Sequence, residues 1–173
     1  MIKNIFLDRD GIINEVVLRN SKAESPRTLS EFNIRQEFVD FYNKTADGNY
    51  NLFVVSNQPD IARNKMDIKE LEMMTGQLKS SFNFKEISYC THDDSDNCDC
   101  RKPKPGMIIS ILNKFKLEKQ ASVIVGDSSK DIAAGKNAGI KTILLQTGYN
   151  RGYSIKADYF INSLLEILSL IKV

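Results

Sequence analysis

Short apolar runs, each closed by polar residues, alternate along the chain with longer stretches whose apolar residues return every three or four positions. The runs predict strands near residues 3–7, 51–56, 86–90, 122–126, 141–145 and 157–161. The longer stretches predict helices near 36–47, 67–82, 105–115, 129–138 and 163–171. Such alternation argues for an α/β fold, a parallel central sheet with helices on both faces. Pro105 suits the first turn of its helix, and Gly139 falls where a C-terminal cap is expected. Met66, Met73, Met74 and Met107 read as core or gap filling. Residues 15–35 are the least patterned: Val16 to Leu18 suit a short strand, while Arg19 to Leu29 is polar and carries Pro26. With no repeat or low-complexity tract, residues 1–173 are expected to form a single domain.

Composition narrows the classes. Charged residues are 27% and hydrophobic ones 42% of 173, ordinary for a compact globular protein. A net charge of +2 without a dense Lys/Arg stripe argues against nucleic acid as a partner. No apolar run approaches the roughly 20 residues that span a bilayer, so no membrane association is expected. The N-terminus enters a strand at once, leaving no room for a signal peptide. A cytoplasmic monomer with reduced thiols is the expectation.

The chemistry gathers at strand ends. Ile5-Phe6-Leu7 stops abruptly in Asp8-Arg9-Asp10-Gly11. In extended backbone Asp8 and Asp10 point the same way, and two close carboxylates repel unless a cation or a proton offsets them. Gly11 lets the backbone approach a ligand closely. A second run, Asn51 to Gln58, ends in the hydroxyl of Ser56 and the amides of Asn57 and Gln58. Arg101-Lys102-Pro103 places two cations before a helix, and Ser122 to Asp131 ends a third run in Gly126-Asp127, with Asp131 four residues on. Ligands of open α/β sheets bind outside the carboxyl ends of the strands. These groups therefore converge on one crevice, and as a set they suit a metal-bound phosphate.

With these four segments in this order, the chain resembles the haloacid dehalogenase superfamily of phosphotransferases. It looks like the branch that holds the heptose bisphosphate and histidinol-phosphate phosphatases. Asn57-Gln58-Pro59-Asp60-Ile61-Ala62-Arg63 keeps the Ile-Ala-Arg of the heptose side, and Arg101 to Met107 follows its R-K-P-x-P-G-M run. The resemblance implies a three-layer, Rossmann-like, capless phosphatase domain acting on a small phosphorylated sugar, with loops closing the pocket. It implies Asp8 as nucleophile and Asp10 as general acid and then base. Its Mg2+ ligands would be Asp8, the backbone carbonyl of Asp10 and Asp127. Ser56 and Asn57 would hydrogen-bond the phosphoryl group, and Lys102 would hold its charge. Arg101 would meet a second anionic group, and Asp131 would orient Lys102 or the metal shell. Asn14, Gln58 and Arg63 are further pocket candidates. Pro59-Asp60 replaces the usual Ser-Gly pair, and Ser128 stands where the family commonly has a basic residue. A noncatalytic phosphate-binding module on this scaffold would lack Asp8, Asp10, Lys102 or Asp127, and all four are present.

Every cysteine and the sole histidine fall within residues 90–100, as Cys90, His92, Cys98 and Cys100. Three thiolates and one imidazole make a closed tetrahedral Zn2+ site, the structural kind. The acidic segment Asp93-Asp94-Ser95-Asp96-Asn97 has too few apolar residues to pack itself, and a metal clip would order it.

Overall fold

A computed structural model of the chain describes residues 1–45, 50–152 and 154–171. The chain opens with β1 (Asn4–Leu7), an antiparallel hairpin of β2 (Val17–Arg19) and β3 (Lys22–Glu24), and α1 (Gln36–Thr45). It continues through β4 (Asn51–Asn57), α2 (Ile68–Ser81), β5 (Glu86–Cys90) and α3 (Gly106–Lys114). The last third holds β6 (Ser122–Gly126), α4 (Ser129–Ala138), β7 (Lys141–Leu145), β8 (Tyr159–Ile161) and α5 (Ile167–Leu170). The final two positions of the helix expected over 36–47 lie outside the described residues.

Among the described residues, the main sheet has six parallel strands in the order β5-β4-β1-β6-β7-β8. The chain runs outward from β1 to β4 and β5, then returns to β1's other side for β6. That reversal is a switch point, where polar groups at strand ends enclose a crevice. β1 holds matched register on both sides, with Asn4 opposite Asn51 and Ser122. The Asn4 side chain bonds across both neighbours, donating to Ser122 Oγ at 3.2 Å and accepting from Asn51 Nδ2 at 2.9 Å.

Side-chain alternation builds two cores. Ile5, Leu7, Leu52, Val54, Val123 and Val125 point to one face, where Phe38, Phe41, Met74, Leu78 and Ile167 from α1, α2 and α5 cover them. Phe6, Phe53, Val55 and Ile124 point to the other, against Met107, Ile108, Ile111 and Ala134 from α3 and α4. Strands buried on both faces read as continuous apolar runs, which is why these runs stood out in the sequence.

Three expectations need correction. Met73 is 46% exposed, whereas Met66, Met74 and Met107 are buried. On α2 Met73 is rotated about 100° from Met74 and so leaves the core side. Pro105 caps α3 from outside instead of sitting in its first turn. The single short strand expected near Val16 to Leu18 is half of a hairpin, whose second strand the polar composition hid. Gly139 takes the left-handed conformation at φ 77° and ends α4 as expected.

Candidate active site and metal centres

Asp8 leaves the carboxyl end of β1, flanked by the ends of β4 and β6. Lys102 arrives from the loop before α3, and its ammonium donates to Asp8 Oδ1 at 2.8 Å, Asp131 Oδ1 at 2.5 Å and the Val55 carbonyl at 2.7 Å. All three ammonium protons are thus satisfied although the side chain is only 3% exposed. Burial disfavours its charge, but Asp131 and Asp8 outweigh that and raise its pKa. A reciprocal pair of bonds fixes the loop: Asn57 Nδ2 donates to the Lys102 carbonyl, and the Lys102 N–H donates to Asn57 Oδ1. Asn57 therefore uses its side-chain amide to hold Lys102.

Asp8, Asp127 and Asp131 each place a carboxylate oxygen within 4.8 Å of the others. Burial and the charge of Asp131 push Asp8 up to about 7, against the pull of Lys102. Burial and the charges of Asp8 and Asp131 push Asp127 up to about 8. Carboxylates pressed together at this cost, all with oxygen donors, suit a hard divalent cation such as Mg2+. Both Asp131 oxygens are already engaged, Oδ1 by Lys102 and Oδ2 by the N–H and hydroxyl of Ser128. Asp131 thereby serves the cluster from behind, and Ser128 acts as the N-cap of α4.

Asp10 is held differently. Arg9 reaches it with Nε at 2.9 Å and Nη2 at 3.1 Å, Gln58 Nε2 at 2.8 Å and Asn14 Nδ2 at 3.0 Å. Burial opposes ionisation, yet Arg9 and these hydrogen bonds keep Asp10 below the usual carboxylate range. Gln58 also donates to Ser56 Oγ at 3.0 Å and accepts from Arg9. Asn14 and Gln58, both fully buried, lie beneath the cleft as the mounting of Asp10 rather than on its wall.

Arg9 was given no role by the sequence, and it is the largest fully buried side chain among the described residues. Its guanidinium lies 5.4 Å from the Phe32 ring centroid and 5.7 Å from that of Tyr89. Its position beside two acids was the available signal, since a cation there has a carboxylate within reach; it takes Asp10.

A cleft of about 370 Å3 opens over these groups, with Asp8, Asp10, Ser56, Asn57 and Lys102 at its base. Ala23, Glu24, Ser25 and Arg27 bring the hairpin region to its wall, and Arg63, Arg101 and Lys130 add cations. Arg27 is tied to Asp60 at 2.7 Å and to Glu24 at 2.7 Å. Asp60, from the unusual Pro59-Asp60 pair, thus links the cleft's two walls.

The four sulfur and nitrogen donors also converge. Cys100 Sγ lies 3.1 Å from Cys90 Sγ, 3.4 Å from Cys98 Sγ and 3.4 Å from His92 Nδ1. Cys90 Sγ is 3.6 Å from both Cys98 Sγ and His92 Nδ1. Zn–S bonds of about 2.3 Å set tetrahedral sulfurs about 3.8 Å apart, so a small expansion admits the ion. Burial pushes the Cys90 thiol up to about 12, while hydrogen bonds from neighbouring N–H groups and thiols overcome burial and bring Cys98 down to about 7. The loop's acids hold two arginines of the cleft: Asp93 holds Arg63 at 2.5 Å, and Asp94 holds Arg63 at 3.2 Å and Arg101 at 2.8 Å.

The HAD-hydrolase-like family profile matches residues 99–167. The chain is 32% identical to D-glycero-alpha-D-manno-heptose-1,7-bisphosphate 7-phosphatase of Photorhabdus laumondii, over 99% of this chain and 97% of that one. It is 33% identical to D-glycero-beta-D-manno-heptose-1,7-bisphosphate 7-phosphatase of Helicobacter pylori, over 84% and 83%. In fold it is similar to the D,D-heptose 1,7-bisphosphate phosphatase of B. bronchiseptica, a crystal structure with magnesium and phosphate. That likeness has a TM-score of 0.85 at 23% identity, over 99% of this chain and 98% of that one. The chain belongs to the heptose 1,7-bisphosphate 7-phosphatase family of HAD-like hydrolases.

Proposed function

We propose that this phosphatase removes the 7-phosphate of D-glycero-D-manno-heptose 1,7-bisphosphate through an aspartyl-phosphate on Asp8. The observation that carries the reading is the convergence of Asp8, Lys102 and Asp127 at the end of the central strand, under a cleft lined with further cations. Lys102 fixes one oxygen of Asp8 and leaves the other to attack phosphorus, splitting a very slow hydrolysis into two easier displacements. Asp8, Asp127 and the backbone carbonyl of Asp10 would hold Mg2+, which when bound would supply charge neutralisation at the transferring oxygens. Ser56 and Lys102 receive the phosphoryl oxygens.

Asp10 rests ionised because Arg9 holds it so, and the entering phosphate supplies the negative charge that raises its proton affinity. It then takes a proton from solvent and donates it to the leaving sugar oxygen, and the regenerated carboxylate takes the proton of the attacking water. Arg63 and Arg101, fixed by Asp93 and Asp94, hold the distal phosphate, which guanidinium meets with two parallel hydrogen bonds. Cys90, His92, Cys98 and Cys100 would hold Zn2+, which would order the loop that carries those acids.

Phosphate release tests the reading, measured over both anomers of the heptose bisphosphate, sugar monophosphates and histidinol phosphate, with and without Mg2+. A heptose bisphosphate is expected to be turned over with the highest kcat/KM, only with Mg2+, and Asp8→Asn to be inactive while its melting curve shows it folded. Better turnover of a monophosphate or of histidinol phosphate sinks the substrate assignment; activity in folded Asp8→Asn sinks the nucleophile.

A further inference from the structure

The loop that follows β7 has no part in the chemistry above, yet consecutive residues of it grip Asp127 at two points. Asn150, 8% exposed, donates through Nδ2 to the Asp127 carbonyl at 2.8 Å and to the Leu145 carbonyl at 2.7 Å. Its Oδ1 accepts from the Thr147 N–H at 2.8 Å, which closes the turn on itself. Next to it, the half-buried Tyr149 donates its phenolic proton to Asp127 Oδ2. Backbone and carboxylate of one residue are thus held from one loop.

The segment after β1 is shaped around the same bond. Gly11 sits at φ 87°, where a side chain is strained in any case. A Cβ there would overlap the Asp127 carboxylate and come within 2.6 Å of the Tyr149 hydroxyl. Glycine therefore leaves the room that the Tyr149–Asp127 contact fills.

We infer that Tyr149 is a positioning residue for the metal: it occupies one oxygen of Asp127 and turns the other toward Asp8, so that the pair presents a preformed Mg2+ site. The inference rests on the Mg2+ reading above. A hydroxyl donating to a carboxylate makes a strong, directional bond. Partners of this kind, one bond removed from the ion, fix the orientation of ligands, and their loss typically costs metal affinity. Asn150 sets the backbone from which that carboxylate projects.

The test is calorimetric titration of the full chain with Mg2+ alone, using the wild type, Tyr149→Phe, Tyr149→Leu and Asp127→Asn. Each variant's melting temperature is measured in chelator. Both Tyr149 variants are expected to raise the Mg2+ Kd by roughly 10- to 100-fold. Asp127→Asn is expected to abolish binding. In Tyr149→Phe, saturating Mg2+ should restore kcat, and KM for the sugar phosphate should stay near that of the wild type. A Tyr149→Phe Kd within twofold of the wild type overturns the inference, whether or not its melting temperature falls. If Asp127→Asn binds Mg2+ as the wild type does, the metal assignment itself fails, and the two failures are told apart in one experiment.

Discussion

Arg9 carries a full charge into a site with no exposure, between two aromatic rings and against Asp10. Removing one member of such a pair strands the other, which typically costs about 3–5 kcal/mol. Arg9→Met keeps much of the volume and should lower stability by that amount in urea titrations at pH 7. The sign of its pH dependence follows from the depressed pKa of Asp10. A carboxylate held below its usual value stabilises the fold above about pH 4 and loses that contribution as pH falls through its folded value. The gap between wild type and Arg9→Met should therefore narrow below pH 4; a gap that is constant with pH refutes the pairing. Asp8, Lys102 and Asp127 were readable in advance because each ends an apolar run or precedes a helix. Arg9 was not: Gln58, Phe32 and Tyr89, which bury it, lie 23 to 80 positions away. Asn57 and Gln58 were placed in the right neighbourhood, but spacing brings an amide near a site without showing which way it turns: Asn57 bonds to Lys102 and Gln58 to Asp10.

Among the elements, the two that shape the cleft are the two with the least apolar periodicity. The β2–β3 hairpin is tied down mainly by ion pairs, Arg19 with Glu31 at 2.5 Å and Arg27 with Glu24 and Asp60. Its pattern of exposed and half-buried residues gives no alternation to read. The 90–100 loop gathers three thiols and one imidazole, and its cysteine spacing was legible where its packing was not. Because its acids hold Arg63 and Arg101, disorder in the loop should act on substrate affinity before it acts on chemistry. Zn2+ removal is expected to raise KM for the bisphosphate roughly tenfold, the loss of one charged hydrogen bond of about 1.5 kcal/mol. Asp94→Ala should do so in the zinc-loaded protein, with kcat reduced less than twofold. Equal KM values before and after zinc removal, with the zinc loss confirmed by elemental analysis, would break this link.

For the molecule as a whole, the cost of gathering carboxylates at one end of the sheet appears in its stability. Asp8 and Asp127, raised to about 7 and about 8, destabilise the metal-free fold increasingly as pH climbs from their unfolded values near 3.8 through those folded ones. A cation that binds only the folded state offsets this by mass action, and protons compete with it at lower pH. Added Mg2+ should therefore raise the melting temperature more at pH 8 than at pH 6, by several degrees for each 1 kcal/mol gained at T m in a domain of this size. Equal shifts at both pH values would contradict the shared-cation account. The strand order has a consequence of another kind. β1 is central, but Asn4 meets Asn51 after 47 residues and Ser122 only after 118. At ribosomal speeds of about 5–20 residues per second, the second partner emerges roughly 6–24 s behind β1. Throughout that interval the strand that ends in Asp8 has at least one unpaired, water-averse edge, and the crevice at its end stays open on the β6 side until Asp127 is made.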